Sequence, residues 1–369
     1  MEKKINLGKW EAAAILINML CVKIFLNFPR KMTEEAGNAG WLLAIYICIL
    51  AFAGFYIIAK LYRKFEGKDL LDIGEHIGGS IGRVVVGLIV VALLLFIVSI
   101  IVRTFTEDMK IVALAVSPIS YVTTFFIVCM VIGAYLGLEA IARYHAIIMP
   151  VIGVGYLLII LGVTPYMELS NLLPILGKGA NAIFIHGSLA TGVFTELIFL
   201  FLLTPFLKSN QRFKSTGYTA LAITSLLLII SAVSYLMVIP YPVAEQKILP
   251  IYHLARMINF GRFFQRLEAI FVLIWATAGL MYVTVGLYFI AYIFKKTFAL
   301  KYHRPLIFPF AAIIYTLSLL PDTLLQTVWL ETGIVREWGW ILAFILPILL
   351  LLIGSMIKRK AKKKKVSTG

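Results

Sequence analysis

The sequence predicts an all-α polytopic membrane protein of about ten transmembrane helices, arranged as a five-plus-five inverted repeat. Three observations carry this. The chain of 369 residues is 61% hydrophobic and 14% charged, with a mean hydropathy of +0.96, and a soluble domain of that size cannot cover so much apolar surface with polar groups. Apolar runs of roughly 20 residues, the length that crosses the hydrocarbon layer, recur with no gap wide enough for a soluble domain. Two of the runs, the first and the sixth, are interrupted, one in each half of the chain.

Eight runs are unbroken: Trp41–Tyr62, Val84–Val102, Ile119–Leu138, Ala146–Met167, Thr216–Ile239, Ala269–Phe294, Pro305–Leu320 and Trp338–Ile357. Ala12–Pro29 is apolar around Lys23, and Ala180–Leu207 is apolar around Glu196. In chain order these ten are spans one to ten. Lys3 and Lys4 give span one the start of a signal peptide, but no small-residue cleavage pattern follows, and Lys23, Pro29 and Arg30 are the wrong exit. It reads as an uncleaved span. The whole chain, 1–369, is expected to form a single integral membrane domain. Its first repeat would cover about 10–167 and its second about 180–357, with 358–369 a basic cytoplasmic tail.

Charge sets the orientation. Of the 34 Lys and Arg residues, 23 fall on the side of the two termini, 10 on the other side, and Lys23 inside a span. The excess places both termini in the cytoplasm. Arg30, Lys31, Arg103, Lys178, Lys247, Arg256, Arg262, Arg266 and Arg336 are among the external set. The net charge of +16 thus marks cytoplasmic loops against anionic lipid, not nucleic acid, and each tail lysine gains about 1 kcal/mol near such a surface. The cytoplasmic stretch Phe65–Gly82 mixes apolar and acidic residues and suits a short interfacial helix. The external stretch Pro240–Phe263 carries three prolines and an amphipathic piece at Ile251–Ile258.

A charge inside a span is expensive and by default functional. The runs place only Lys23 and Glu196 deep, and both lie in poorly made helices. Asn18 precedes Lys23, and Asn27 and Pro29 follow it. Gly187, Ser188, Thr191, Gly192 and Thr195 precede Glu196, and Pro205 follows it. Interrupted segments at matching positions of two halves point to a midplane site, where freed amides and carbonyls receive a ligand's charged groups. Asn18, Lys23, Gly187, Ser188, Thr191, Gly192 and Glu196 are the candidate ligand-binding residues. Lys23 lies roughly 9 Å of helix rise from Pro29, too deep to snorkel easily. Lys23 and Glu196 are therefore expected to interact, directly or through one water, with Lys23 supplying the fixed charge of a bound cation. The bland alternative has Glu196 cap backbone amides within its own broken helix and Lys23 point into a separate wet cavity.

Other features are weaker. Gly133 and Gly137 have the spacing that permits close helix packing. Cys21, Cys48 and Cys129 lie in apolar stretches and read as small hydrophobes. His145, His186, His253 and His303 match no metal spacing. No metal site and no cofactor are expected, and no nucleotide loop, zincin helix or nucleophile elbow supports an enzyme.

The segments LNFPR at Leu26–Arg30, Gly40-Trp41, RTFTE at Arg103–Glu107, YLGLEAIAR at Tyr135–Arg143, NLLPIL at Asn171–Leu176, Glu196, and FFQRLEAIFVLIW at Phe263–Trp275 come in an order and spacing that resembles the B-subunit permeases of spore germinant receptors. That family is a branch of the amino acid–polyamine–organocation superfamily. The resemblance runs over nearly the whole chain. It implies a LeuT-type fold in the spore inner membrane, sensing a small-molecule germinant such as an amino acid beside A- and C-type subunits. A proton-coupled amino-acid transporter is the alternative, and a ligand-free structural subunit a third. One departure from the family stands out: the break in span one is usually glycine-rich, whereas Asn18–Lys23 reads NMLCVK. Either the break would then be smaller, or the Lys23 ammonium would fill the space of a cation or a ligand amine.

Overall fold

A computed structural model describes residues 6–207, 209–259 and 268–367, with side chains up to 358, and the chain is helical almost throughout. Eight helical stretches among the described residues are long and apolar enough to cross a membrane. The first and ninth expected spans are shorter, the first because it is broken and the ninth because it is only Arg304–Ser318. Lys3, Lys4, Lys208, Arg262, Phe263 and Arg266, with the start of the Phe263–Trp275 segment, lie outside the described residues, as do the side chains of Arg359–Lys365.

Span one is a helix over Lys9–Cys21, a tight turn over Val22–Ile24 and a second helix over Phe28–Ala36. The break follows from Asn27, whose φ of −125° is not helical, and from Pro29, which restarts the chain in the first turn where its missing N–H is harmless. A turn at Gly37, with φ +64°, leads into span two, Gly40–Tyr62.

Span three begins before its apolar run. Leu70–Val112 is interrupted at Gly78 and Gly79, so the stretch before the glycines is the short helix expected within Phe65–Gly82. Asp69 caps it, accepting from the Asp72 N–H at 2.9 Å while its own N–H donates to Asp72 at 3.1 Å.

Spans four and five, Ile119–Leu136 and Leu138–Gly162, are separated by Gly137 alone. This corrects the reading of Gly133 and Gly137 as one packing motif. Gly133 does abut Thr284 of span eight, whose methyl would lie 2.6 Å from an added Cβ, but around Gly137 there is open space and φ is +88°. Gly137 is the turn, a backbone only glycine adopts freely. Span five therefore starts eight residues before Ala146, and Arg143 sits on it, paired with Glu139 at 2.5 Å.

Span six is short helices at Ala180–Phe184 and Phe199–Leu203 joined by a tightly wound 3-10 stretch, His186–Ile198. Span seven is Asn210–Val238 and span eight Glu268–Thr297; the amphipathic piece between them is the helix Pro250–Met257. Span nine is Ile307–Ser318.

Span ten departs most from expectation. It starts at Leu324, fourteen residues before Trp338, and continues to Ser367 with two π-helical stretches, Leu330–Val335 and Ile341–Ile345. Arg336, assigned by sequence to a loop, is inside it and 2% exposed.

Burial orders the bundle. In the most apolar window of span six 89% of residues are buried, against 28% in span four. Span six is thus interior, as is span one, where every residue from Ala12 to Pro29 is buried. Leu7 and Lys358, near the two ends of the described chain, lie on one face. There the Leu7 N–H donates to the Phe206 carbonyl at 3.0 Å, Arg212 to the Leu7 carbonyl at 3.0 Å, and Lys358 to the Lys64 carbonyl at 2.5 Å. Lys296, at the end of span eight, ties the interfacial helix to this face through Asp69 at 2.6 Å and Asp72 at 2.7 Å.

Candidate functional site

The two breaks meet. Lys23 sits in the tight turn of span one, and its ammonium donates both to the Glu196 carboxylate and to the Val193 carbonyl. The interaction is direct, with no intervening group. A 3-10 stretch leaves carbonyls poorly matched to their own helix, and the Val193 carbonyl is one that an outside donor reaches.

Glu196 has further partners. Arg336 donates to it at 3.1 Å and the Tyr282 hydroxyl of span eight at 3.0 Å. The other arm of the Arg336 guanidinium donates to Glu331 at 3.0 Å, and Glu331 also accepts from the Asn27 amide at 3.0 Å. Lys23, Glu196, Glu331 and Arg336 are each at most 2% exposed. Two cations and two carboxylates thus form a neutral chain through spans one, six and ten, which is the condition under which buried charge is tolerated.

The expectation that only Lys23 and Glu196 lie deep is corrected by this chain. Glu331 and Arg336 are five residues apart, so in an α-helix they would lie about 140° apart around the axis. The π-helical turn Leu330–Val335 has a wider i to i+5 repeat, which brings the two onto one face. The available signal was an apolar pattern running from Leu324 through Glu331 and Arg336 into Trp338, with an acid and a base placed to cancel.

The remaining candidates divide. Gly192 is at the centre, where an added Cβ would strike the Arg336 carbonyl; facing it in span ten, Gly339 lies against the Thr195 hydroxyl. Thr195 donates to the Gly192 carbonyl. Thr191 is 6% exposed, and its hydroxyl has no partner among the described residues. Ser188 only donates to the Ile185 carbonyl, at 2.7 Å. Gly187 packs on span two, with Leu43 2.5 Å from where a Cβ would be. Asn18 points away from the charges: its amide donates to the Ala278 carbonyl at 3.2 Å and meets the His145 ring at 3.5 Å, tying span one to spans five and eight.

Gly192 gives a sharp test of the contact between spans six and ten. Gly192→Ala must push the Arg336 backbone away, and overpacking of this kind costs about 1–3 kcal/mol. The variant is expected to accumulate with a lowered thermal midpoint. An unchanged midpoint would mean that the two spans are not held at this distance.

A cavity of about 200 Å³ adjoins the charge chain at Val193 and Arg336 and is also lined by Lys31, Glu35, His186, Leu189, Ala190 and Glu337. Lys31 pairs with Glu35 at 2.7 Å and approaches Glu337 at 3.8 Å. The cavity offers both signs of charge beside a short apolar wall, and it touches the same Val193 and Arg336 that hold the breaks together.

Comparison with known proteins follows the same lines. The profile of the Spore_permease family, described as spore germination protein, matches residues 7–326. Spore germination protein A2 of Bacillus subtilis (strain 168) is 24% identical over 97% of this chain and 98% of its own length. Spore germination protein YndE of the same organism is 25% identical over 95% and 97%, and spore germination protein KB is 22% identical over 75% and 77%. Among solved structures, MhsT in complex with L-phenylalanine superposes with a TM-score of 0.66 at 14% identity, covering 96% of this chain and 99% of that one. A Na+-coupled sialic acid symporter in a substrate-bound outward-open state gives 0.65 at 13% identity, covering 96% and 88%. At such identities the likeness is one of fold, the LeuT-type bundle.

Proposed function

Because the chain belongs to the spore germination permease family, a multi-pass membrane group with a transporter fold and not an enzyme family, we propose that it is the B-type subunit of a germinant receptor. On this reading it senses a small nutrient such as an amino acid through the cavity over the two broken spans. It works beside A- and C-type subunits in the spore inner membrane, with both termini cytoplasmic. The repeats are assigned to about 10–167 and 180–357, with 358–369 as the basic tail.

One observation carries the proposal. The cavity presents Lys31 and Arg336 together with Glu35 and Glu337 around Ala190 and Val193. A zwitterion needs both signs at once, and pockets fix orientation with a few such groups on an apolar wall. A ligand there touches spans one, six and ten together, and it can shift the bundle by whatever differential affinity it has for two packings.

The Lys23 ammonium already occupies the carbonyl that the break of span six would offer a cation, so the response should not need sodium. Purified protein in nanodiscs, titrated with a panel of L-amino acids, is expected to bind a small one with the same affinity in sodium and in choline buffers. Ala190→Trp, which fills the cavity wall, should remove that binding while the protein still accumulates. Loss of binding in choline would overturn the built-in cation. Binding that survives Ala190→Trp would move the ligand elsewhere. Concentrative uptake into proteoliposomes under a proton gradient would identify a carrier instead of a sensor.

A further inference from the structure

Spans four and five diverge from the Gly137 turn, and both pack on span eight. Between the three lies a second cavity, of about 450 Å³. Ile132, Gly133 and Leu136 of span four, Tyr144 and His145 of span five and Thr284 of span eight are among its walls. Its outer side is open, since Ile132, Leu136 and Tyr144 are exposed. Its floor offers no free polar group. The Thr284 hydroxyl donates to the Leu280 carbonyl at 2.7 Å, and the His145 ring is held by the Ile141 carbonyl at 2.7 Å and the Asn18 amide at 3.5 Å. No Lys, Arg, Asp or Glu lines it. Beside this groove stands a cation without an acid. Tyr135, next to Leu136, carries the exposed Arg304 guanidinium over its ring at 5.8 Å. Among the described residues no carboxylate pairs with Arg304, whereas Arg143 of span five is already paired with Glu139 at 2.5 Å.

A groove that opens sideways from membrane spans meets hydrocarbon and not water, and a polar nutrient finds nothing to bind there. Volume decides among apolar occupants. One turn of a helix, about 10–12 Å across and about 5.4 Å in pitch, fills roughly 400–600 Å³. The groove holds one such turn at most, so neither a partner's helix nor a second copy of this chain can run along it. A single flexible acyl chain fits. The aromatic ring under Arg304 leaves the edge of the guanidinium free, and that edge suits a phosphate. We infer that the groove between spans four, five and eight binds an acyl chain of an anionic phospholipid whose phosphate rests on Arg304. Head and tail sites adjoin because Tyr135 and Leu136 are neighbours in the chain. The bound chain lies against the same His145 that meets Asn18, and so backs the contact between spans five and one. The inference is independent of which nutrient the other cavity takes.

Native mass spectrometry of the full chain, delipidated in mild detergent and given palmitoyl-oleoyl phosphatidylglycerol or the matching phosphatidylcholine, tests it. One phosphatidylglycerol is expected to stay on each protein, retained about fivefold more than phosphatidylcholine, the advantage of one cation beside an anionic headgroup. Arg304→Gln should bring the two lipids level, and Ala140→Trp, which fills the groove, should release both. Inorganic phosphate should displace neither, and displacement by it would leave an anion site only and overturn the groove. Equal retention of both lipids by the wild type overturns the headgroup contact. A ladder of adducts with no single retained molecule means annular lipid only and overturns the site. Should Ala140→Trp fail to accumulate, the exposed Arg304→Gln decides alone, and a phosphatidylglycerol preference that survives it overturns the assignment.

Discussion

Arg336→Met is expected to be the most damaging single substitution in the chain, lowering stability by about 3–5 kcal/mol, the usual cost of removing one partner from a buried ion pair. Among the described residues Arg336 is the one group that touches both carboxylates, Glu196 at 3.1 Å and Glu331 at 3.0 Å. Without it Glu196 keeps Lys23 and Tyr282, but Glu331 keeps only the Asn27 amide. Arg336→Lys should recover a minor part of the loss, since a single ammonium cannot reproduce the planar fork that serves two acceptors. Adding Glu331→Gln to Arg336→Met should recover more, because the carboxylate left without a cation is then gone. The measurements are accumulation in the membrane and the thermal midpoint of the purified protein. An Arg336→Met protein with the wild-type midpoint would show that span ten does not carry its charge into the core.

Lys23 and Glu196 give the second large effect. Lys23→Met leaves Glu196 with Arg336 and Tyr282 and strips the Val193 carbonyl of its donor. Glu196→Gln leaves two buried cations, Lys23 and Arg336, facing a neutral amide. Each single change should lower both stability and the germinant response severely. The double variant is expected to lose less than the sum of the two, by about 0.5–3 kcal/mol in stability, the range found for residues in one network. The coupling should fall short of full rescue, because Arg336 is still left facing the Gln. Strictly additive losses would mean that the ammonium and the carboxylate act independently, and the contact would then have no energetic meaning.

The family relation places these effects in a spore germination permease with a transporter fold. A transporter fold supplies two broken helices at its centre, and the same frame serves carriage or sensing. In this chain the frame is held by side chains that the sequence itself provides. A bound nutrient would compete with, or add to, contacts already made by Lys31, Glu35 and Glu337.

By itself the sequence determined the membrane class, the number and order of the spans, and the two broken ones. These are properties of composition along the chain: lipid demands long apolar runs with internally satisfied backbones, and Lys23 and Glu196 stand out against such runs. It also marked Asn27 and Pro29 as an interruption of span one, although what stands there is the start of the second helix, Phe28–Ala36, because proline in a first turn needs no N–H. What the tertiary structure alone decided was direction and partnership. Asn18 is on span one but turns toward Ala278 and His145, since helix phase around a break is set by what packs there. Gly187 serves a contact with Leu43, and Gly137 a turn, though both look like any other glycine in an apolar run. Glu331 and Arg336 were hidden because a five-residue spacing places them on different faces of a regular helix. Only the π-turn, stabilised by the charges of spans one and six that it meets, brings both inward. Pairing across spans depends on distance in space, and a sequence records distance only along the chain.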